Sequence, residues 1–126
     1  MRHARRGRKL GRESQHRRLM LGTMAGQLVD HGRIRTTEPR AKELRSVVDK
    51  LVNSAKRDGV ASRRQVVKTI KDKRVLRKLY EEIAPELSDR NSGYTRILKL
   101  GPRLGDGANE VFIEFVNYDQ IYNTGE

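Results

Sequence analysis

Residues 33–59 read RIRTTEPRAKELRSVVDKLVNSAKRDG, and the fold follows from how that stretch divides. Its opening, Arg33 to Thr37, is short and β-branched at Ile34, Thr36 and Thr37, which predicts a brief strand or extended connector. Pro39 then suits the first residue of a helix, where a missing amide costs no hydrogen bond. From there Ala41, Leu44, Val47, Val48, Leu51, Val52 and Ala55 recur at helical spacing and form one apolar stripe. Arg40, Lys42, Arg45, Lys50, Lys56 and Arg57 lie mostly off that stripe. Asp58-Gly59 ends the run.

Working back towards the N-terminus, Met20, Leu21, Met24, Ala25 and Leu28 give a second amphipathic helix. Ser14 is its expected N-cap and Gly32 its expected stop. Working forward, Ser62 with Gln65 reads as a capping box opening a short helix through Val66, Val67 and Ile70. Asp72 is expected to cap the next one, in which Leu76, Leu79, Tyr80 and Ile83 fall at helical spacing. Pro85 should end or distort it, because a proline disfavours helical angles at the residue before it. Residues 86–93 form a polar connector. The period then changes to two. Tyr94, Arg96, Leu98 and Leu100 alternate with Thr95, Ile97 and Lys99, and residues 110–116 are rich in Val, Phe and Ile. Gly101-Pro102 and Gly105-Asp106-Gly107 punctuate the loop between them, so these two strands are expected to pair as an antiparallel hairpin. The fold class is α+β: helices on one face of a small, about three-stranded mixed sheet, with a basic extended N-terminal arm. The expected organisation is an arm over residues 1–13, one globular domain over 14–117, and a short acidic tail over 118–126 that is poorly ordered alone.

Charge decides the functional class. The chain of 126 residues carries a formal net charge of +12, with +7 on residues 1–18 and −4 on residues 109–126. A pI near 10.6 in a chain this short points to a polyanion partner, and to nucleic acid before any enzyme pocket. Cysteine is absent, which excludes disulfides, thiolate zinc sites and thiol catalysis. No run reaches the roughly 18 apolar residues of a membrane span, and the N-terminus lacks the apolar core of a secretory signal. Its arginine-rich, acid-poor character is shared by organellar transit peptides, and composition leaves that alternative open. No phosphate-cradling glycine loop, Walker pattern or nucleophile elbow is present, which argues against an enzyme.

The arm, Met1 to Arg18, is the first candidate site. It has too little apolar surface to order itself, and arginine suits folded RNA because its fork bonds phosphate and its plane stacks on bases. Arg2, His3, Arg5, Arg6, Arg8, Lys9, Arg12, His16, Arg17 and Arg18 are its expected RNA contacts. The second is the strand–helix junction, with Arg35, Thr36, Thr37, Arg40, Lys42 and Arg45, where helix amides and hydroxyls favour phosphate. The third is Tyr94, Thr95, Arg96 and Lys99, a strand carrying donors and one aromatic, with Tyr94 either stacking on a base or packing on its own sheet. A basic run, Arg63, Arg64, Lys68, Lys71, Lys73, Arg74, Arg77 and Lys78, is divided evenly between a solvated face and an RNA contact. His3, His16 and His31 are too scattered for a metal site. A basic nucleoid or DNA-binding protein is the rival reading, though neither a recognition helix nor a dimer seam is evident.

The ordered motifs carry a family resemblance. Met1-Arg2-His3, Gly7-Arg8-Lys9-Leu10, Arg12 and His16-Arg17 resemble the start of the bacterial large-ribosomal-subunit protein seventeen family. So do Met24-Ala25, Leu28-Val29, His31, Ile34-Arg35-Thr36-Thr37, Pro39 and Ala41-Lys42-Glu43-Leu44-Arg45. Gly93-Tyr94-Thr95-Arg96-Ile97-Leu98-Lys99 and Gly105-Asp106-Gly107 resemble its late signature. Ser92 stands where that family is expected to carry glycine, and nothing after residue 117 matches. The resemblance implies a structural protein of the large ribosomal subunit, in the cytoplasm, with no catalysis, no cofactor and no small-molecule substrate. It also implies binding to ribosomal RNA near the opening of the nascent-peptide tunnel, beside neighbouring large-subunit proteins. Because it begins at Met1, it further implies that the arm belongs to the mature protein.

Overall fold

The computed structural model of the chain describes residues 11–57 and 59–122, with side chains from residue 15 onward. Arg2, His3, Arg5, Arg6, Arg8 and Lys9 therefore lie outside the described residues, as do Asp58 and the side chain of Arg12.

The strand–helix pair read from residues 33–59 is the centre of the molecule. Strand β1 is Arg33–Thr37, and the long helix that follows, here α2, is Glu38–Arg57. Helix α1, Gly11–His31, precedes them. It begins before Ser14, which lies inside it and is not its cap. Arg, Glu and Gln at its start are good helix formers, and the apolar repeat does not mark where such a helix begins. At its other end Gly32 takes φ +82 and donates its amide to the Leu28 carbonyl at 2.6 Å, the left-handed stop that its position predicts.

After α2 come α3 (Val60–Val67) and α4 (Lys73–Lys78), then a π-helical turn at Leu79–Ile83 and the short α5 (Ala84–Glu86). Asp72 caps α4, its side chain accepting from the Arg74 amide at 2.9 Å. The expected capping box of α3 does not form. Ser62 sits within that helix, buried, and its hydroxyl donates to the Ser54 carbonyl of α2. The hydroxyl ties two helices together because burial obliges it to find a partner. Pro85 distorts its helix but does not end it. The amide of Ala84 reaches back to the Leu79 carbonyl, and the chain stays helical through Glu86. The widened turn precedes the residue that has no amide to give.

Strands β2 (Thr95–Pro102) and β3 (Asn109–Phe115) form the expected hairpin. The sheet has three strands in the order β1-β3-β2. Both pairings are antiparallel, so the sheet is not mixed as the sequence led us to expect. The long path through α2 to α5 returns the chain to the far side of β3, and β3 then runs between two strands that both oppose it. A bulge between Lys99 and Gly101, with Gly101 at φ +109, bends β2 near the loop.

The core lies on one face of this sheet. Ile34, Val111, Ile113, Phe115, Thr95 and Ile97 point to it, where Leu44, Val48, Leu51, Val52 and Ala55 of α2 meet them. Leu21, Ala25, Leu28 and Val29 of α1 close one side, and Val66, Ile70, Val75, Leu79, Ile83 and Leu87 another. Burying each such Leu or Ile contributes about 1.5–3 kcal/mol. The opposite face of the sheet presents Arg33, Arg35, Arg96, Leu98 and Phe112, with the Tyr118 ring lying against Arg33.

The segment after β3 includes a short helix, α6 (Tyr118–Ile121), followed by Tyr122. Tyr122 packs over Gly32 and lies parallel to Phe115 at 6.3 Å, and its hydroxyl donates to the Val29 carbonyl at 2.6 Å. That carbonyl belongs to the last turn of α1, whose acceptors have no partner within the helix. Part of the segment the sequence marks as tail is thus docked on the body.

Candidate nucleic-acid interface

A cation that is to meet an external polyanion must not be spent inside the fold, and the structure separates the two kinds. At the strand–helix junction, Arg35 donates to Glu110 at 2.8 Å, while Lys42 pairs with Glu38 at 3.3 Å. Thr36 faces the core opposite Val111, and Thr37 is half-buried at the end of β1. Glu38 already complements the positive end of α2, so the N-terminus of that helix is not the open phosphate cradle its sequence suggested. Arg40 and Arg45 are exposed and make no interaction with other described residues.

The β2 candidates also divide. Tyr94 is fully buried. Its hydroxyl donates to Asn53 Oδ1 at 2.6 Å and accepts from Lys56 Nζ at 3.0 Å. It is a core residue, and stacking on a base is closed to it. Lys99 turns to the core side of the sheet and lies 3.9 Å from Glu38. Arg96 stands on the open face and donates to Glu114 at 2.7 Å.

A concentration of unspent charge lies where α1 meets α3 and α4. Along α1, His16 and Arg18 are exposed, and Arg17 makes a loose 3.7 Å pair with Glu43. Between α1 and the α3–α4 connector runs an open groove of about 690 Å³. Leu19, Gly22, Thr23 and Gly26 form one wall, Lys68, Thr69 and Lys71 the other, and Arg18 stands at its side. The approach is close because Gly22 has no side chain: a Cβ there would lie 3.2 Å from the Thr69 carbonyl oxygen. Lys68 and Lys71 make no interaction with other described residues, and neither do Arg18, Arg64, Lys73 and Arg77. The remaining cations of that run serve the fold. Arg74 clamps Asp30 with bonds of 2.8 and 3.1 Å, which hold the Asp30 carboxyl below its ordinary range and raise the guanidinium. Lys78 donates to the Asp30 carbonyl and covers the Tyr122 ring, and Arg63 covers Tyr80.

Asp72, the cap of α4, is the exposed acid that lines the groove, and four others, Glu81, Glu82, Glu86 and Asp89, stand outside its lining. Phosphate is attracted by the groove's unpaired cations and repelled by the acids of residues 81–89. No group of acids and histidines that could hold a metal exists among the described residues. No described helix is long and apolar enough to cross a membrane. Lys68 and Lys71 were visible in the basic run, but no local pattern tells that they stand across a groove from Arg18. Arg33 is not among the contacts read from the sequence, and the acid it pairs with lies 81 positions away, beyond any local pattern.

The ribosomal protein L17 family model matches residues 20–116 of the chain. The large ribosomal subunit protein bL17 of Rubrobacter xylanophilus is 70% identical over 118 residues, which cover 94% of this chain and 98% of that protein. The protein of the same name from Syntrophotalea carbinolica is 53% identical over 116 residues, covering 92% of this chain and 75% of its own. That from Halothermothrix orenii is 51% identical over 109 residues, with 86% and 96% covered.

Proposed function

The chain belongs to the ribosomal protein L17 family, a structural component of the large ribosomal subunit and not an enzyme, and from that premise we propose that it binds ribosomal RNA close to the exit of the nascent-peptide tunnel. It works in the ribosome, in the cytoplasm, with other large-subunit proteins as neighbours. The observation that carries RNA binding is the set of unspent cations, Arg18, Lys68 and Lys71, that line the groove between α1 and the α3–α4 connector. The arm, residues 1–13, is a second RNA-binding element by its arginine content. A place beside the tunnel exit is what the family resemblance implies. Arg40 and Arg45 supply further phosphate contacts along α2.

Folded RNA is a better match than chromosomal DNA for this surface. The groove is built by packed helices with no projecting recognition helix, so it suits a shaped phosphate ridge more than a major groove. Filter binding of the full chain to large-subunit and small-subunit ribosomal RNA fragments, over a range of salt, tests the reading. Preferential binding to large-subunit fragments with a steep salt dependence is expected. Equal affinity for both RNAs and for duplex DNA would overturn it.

A further inference from the structure

We propose that Arg33, Glu114 and Arg96 form a prearranged site for one phosphodiester of the RNA backbone, on the open face of the sheet. The inference rests on the RNA-binding reading above and adds a second, separate contact to it. The three residues lie in one row across the three strands, Arg33 opposite Glu114 on one side and Arg96 opposite it on the other. One carboxylate oxygen of Glu114 accepts from Arg33 Nε at 2.7 Å, and the other accepts from Arg96 Nε at 2.7 Å. The Glu114 side chain is only 1% exposed, whereas those of Arg33 and Arg96 are 36% and 49% exposed. The acid is thus beneath, and the two guanidinium groups stand above it at the surface.

The mode of bonding leaves the arginines available. Each spends Nε on Glu114, and neither makes another hydrogen bond among the described residues. The Nη amino groups of both are therefore open donors, and parallel guanidinium donors are the geometry that phosphate oxygens accept. Arg33 is fixed further by lying over Phe112 at 5.0 Å and Tyr118 at 4.4 Å. Much of the rotamer freedom that a surface arginine would surrender on binding is already gone in the folded chain.

Charge singles out this row. Two formal positive charges share one negative, leaving a surplus of one, which a phosphodiester matches. On the same face Arg35 has Glu110 to itself at 2.8 Å and is balanced. A buried carboxylate is a costly way to join strands that apolar side chains would join at less desolvation. Holding two forks at a set spacing gives it a use. Leu98, 40% exposed on the neighbouring row, offers apolar surface to a ribose or base beside the phosphate. A protein carboxylate could also fill the forks. RNA is favoured because the surplus lies on a chain of net charge +12.

The test uses the full chain, large-subunit RNA fragments and three variants. Glu114→Gln adds one positive charge. Simple attraction makes it bind more tightly, whereas loss of positioning makes it bind about tenfold more weakly at fixed salt, the loss of one good charge-assisted contact. The triple variant Arg33→Gln/Arg96→Gln/Glu114→Gln keeps a neutral hydrogen-bonding row, and circular dichroism checks its fold should Glu114→Gln alone fail to fold. It is expected to bind about tenfold more weakly, with a salt slope lower by about 0.7–0.9, one phosphate contact. Arg57→Gln removes the same net charge at the C-terminal end of α2 and is the control. Glu114→Gln binding as tightly as the unmodified chain or more so, or a folded triple variant matching the control, overturns the site while leaving RNA binding intact. Unchanged RNA affinity with failed entry into subunits assigns the forks to a protein carboxylate and also overturns it. If the unmodified chain does not prefer large-subunit RNA, the function reading falls and this site with it.

Discussion

Gly32→Ala probes the joint at which the end of the chain is tied to its body. Gly32 has φ +82, a conformation that costs an L-residue about 1–2 kcal/mol. The added Cβ would lie 2.4 Å from Cδ2 and 2.6 Å from Cγ of Tyr122, so the ring must be displaced bodily. Displacement breaks the 2.6 Å bond from the Tyr122 hydroxyl to the Val29 carbonyl, worth about 1 kcal/mol. It also separates Tyr122 from Phe115, a parallel ring pair at 6.3 Å worth about 0.5–1 kcal/mol. The expected loss is roughly 2.5–4 kcal/mol, which for a chain of this size lowers Tm by about 10–15 °C. Thermal unfolding followed by circular dichroism reads it, in a cycle with Tyr122→Ala and the double variant. With the ring absent only the backbone term remains, so Gly32→Ala should cost about 1–2 kcal/mol in that background. An equal cost in both backgrounds would refute the ring contact as the source.

Two other outcomes follow from the charge arrangement. The bond from Arg74 holds Asp30 below the ordinary carboxylate range, so this pair stabilises the fold above that range and the stabilisation is lost as pH falls through the lowered value. In Arg74→Gln the Asp30 carboxyl should titrate closer to its ordinary value by NMR, and an unmoved midpoint would contradict the pairing. Deleting residues 1–12 should weaken RNA binding and reduce the salt slope by several contacts, at up to ~0.9 each for duplex, whereas an unchanged slope would make the arm a bystander.

The central architecture was legible because it is written in local periodicity. The apolar stripe of α2, the β-branched run of β1, the stop at Gly32 and the cap at Asp72 each declare themselves within a few residues. What was not legible depends on contacts between distant segments. Ser62 looked like a cap because its spacing to Gln65 is right, yet the nearby Ser54 carbonyl on the preceding helix claimed its hydroxyl. Tyr94 looked like a possible stacking ring, and Asn53 and Lys56, some forty positions away, draw it inside. For the interface the sequence showed which residues are cationic but not which are already spent. Arg74 reads like Lys68 and Lys71 until Asp30, 44 positions away, is seen beside it, whereas the pairing of Lys42 with Glu38 is of the local i,i+4 kind. The row of Arg33, Glu114 and Arg96 needs three strands in register before it exists at all.

Binding of RNA along the groove between α1 and the α3–α4 connector is tested most directly by placing a cleavage reagent beside it. The chain contains no cysteine, so a single introduced thiol can carry a tethered iron chelate. Gln27→Cys places it in the groove wall, and Ser88→Cys places it among the exposed acids of residues 81–89. Both variants are assembled into large subunits, and hydroxyl radicals are generated. Strong cleavage of large-subunit RNA from position 27, with little from position 88, is the result expected. Cleavage from position 88 alone, or equally from both, would contradict the account.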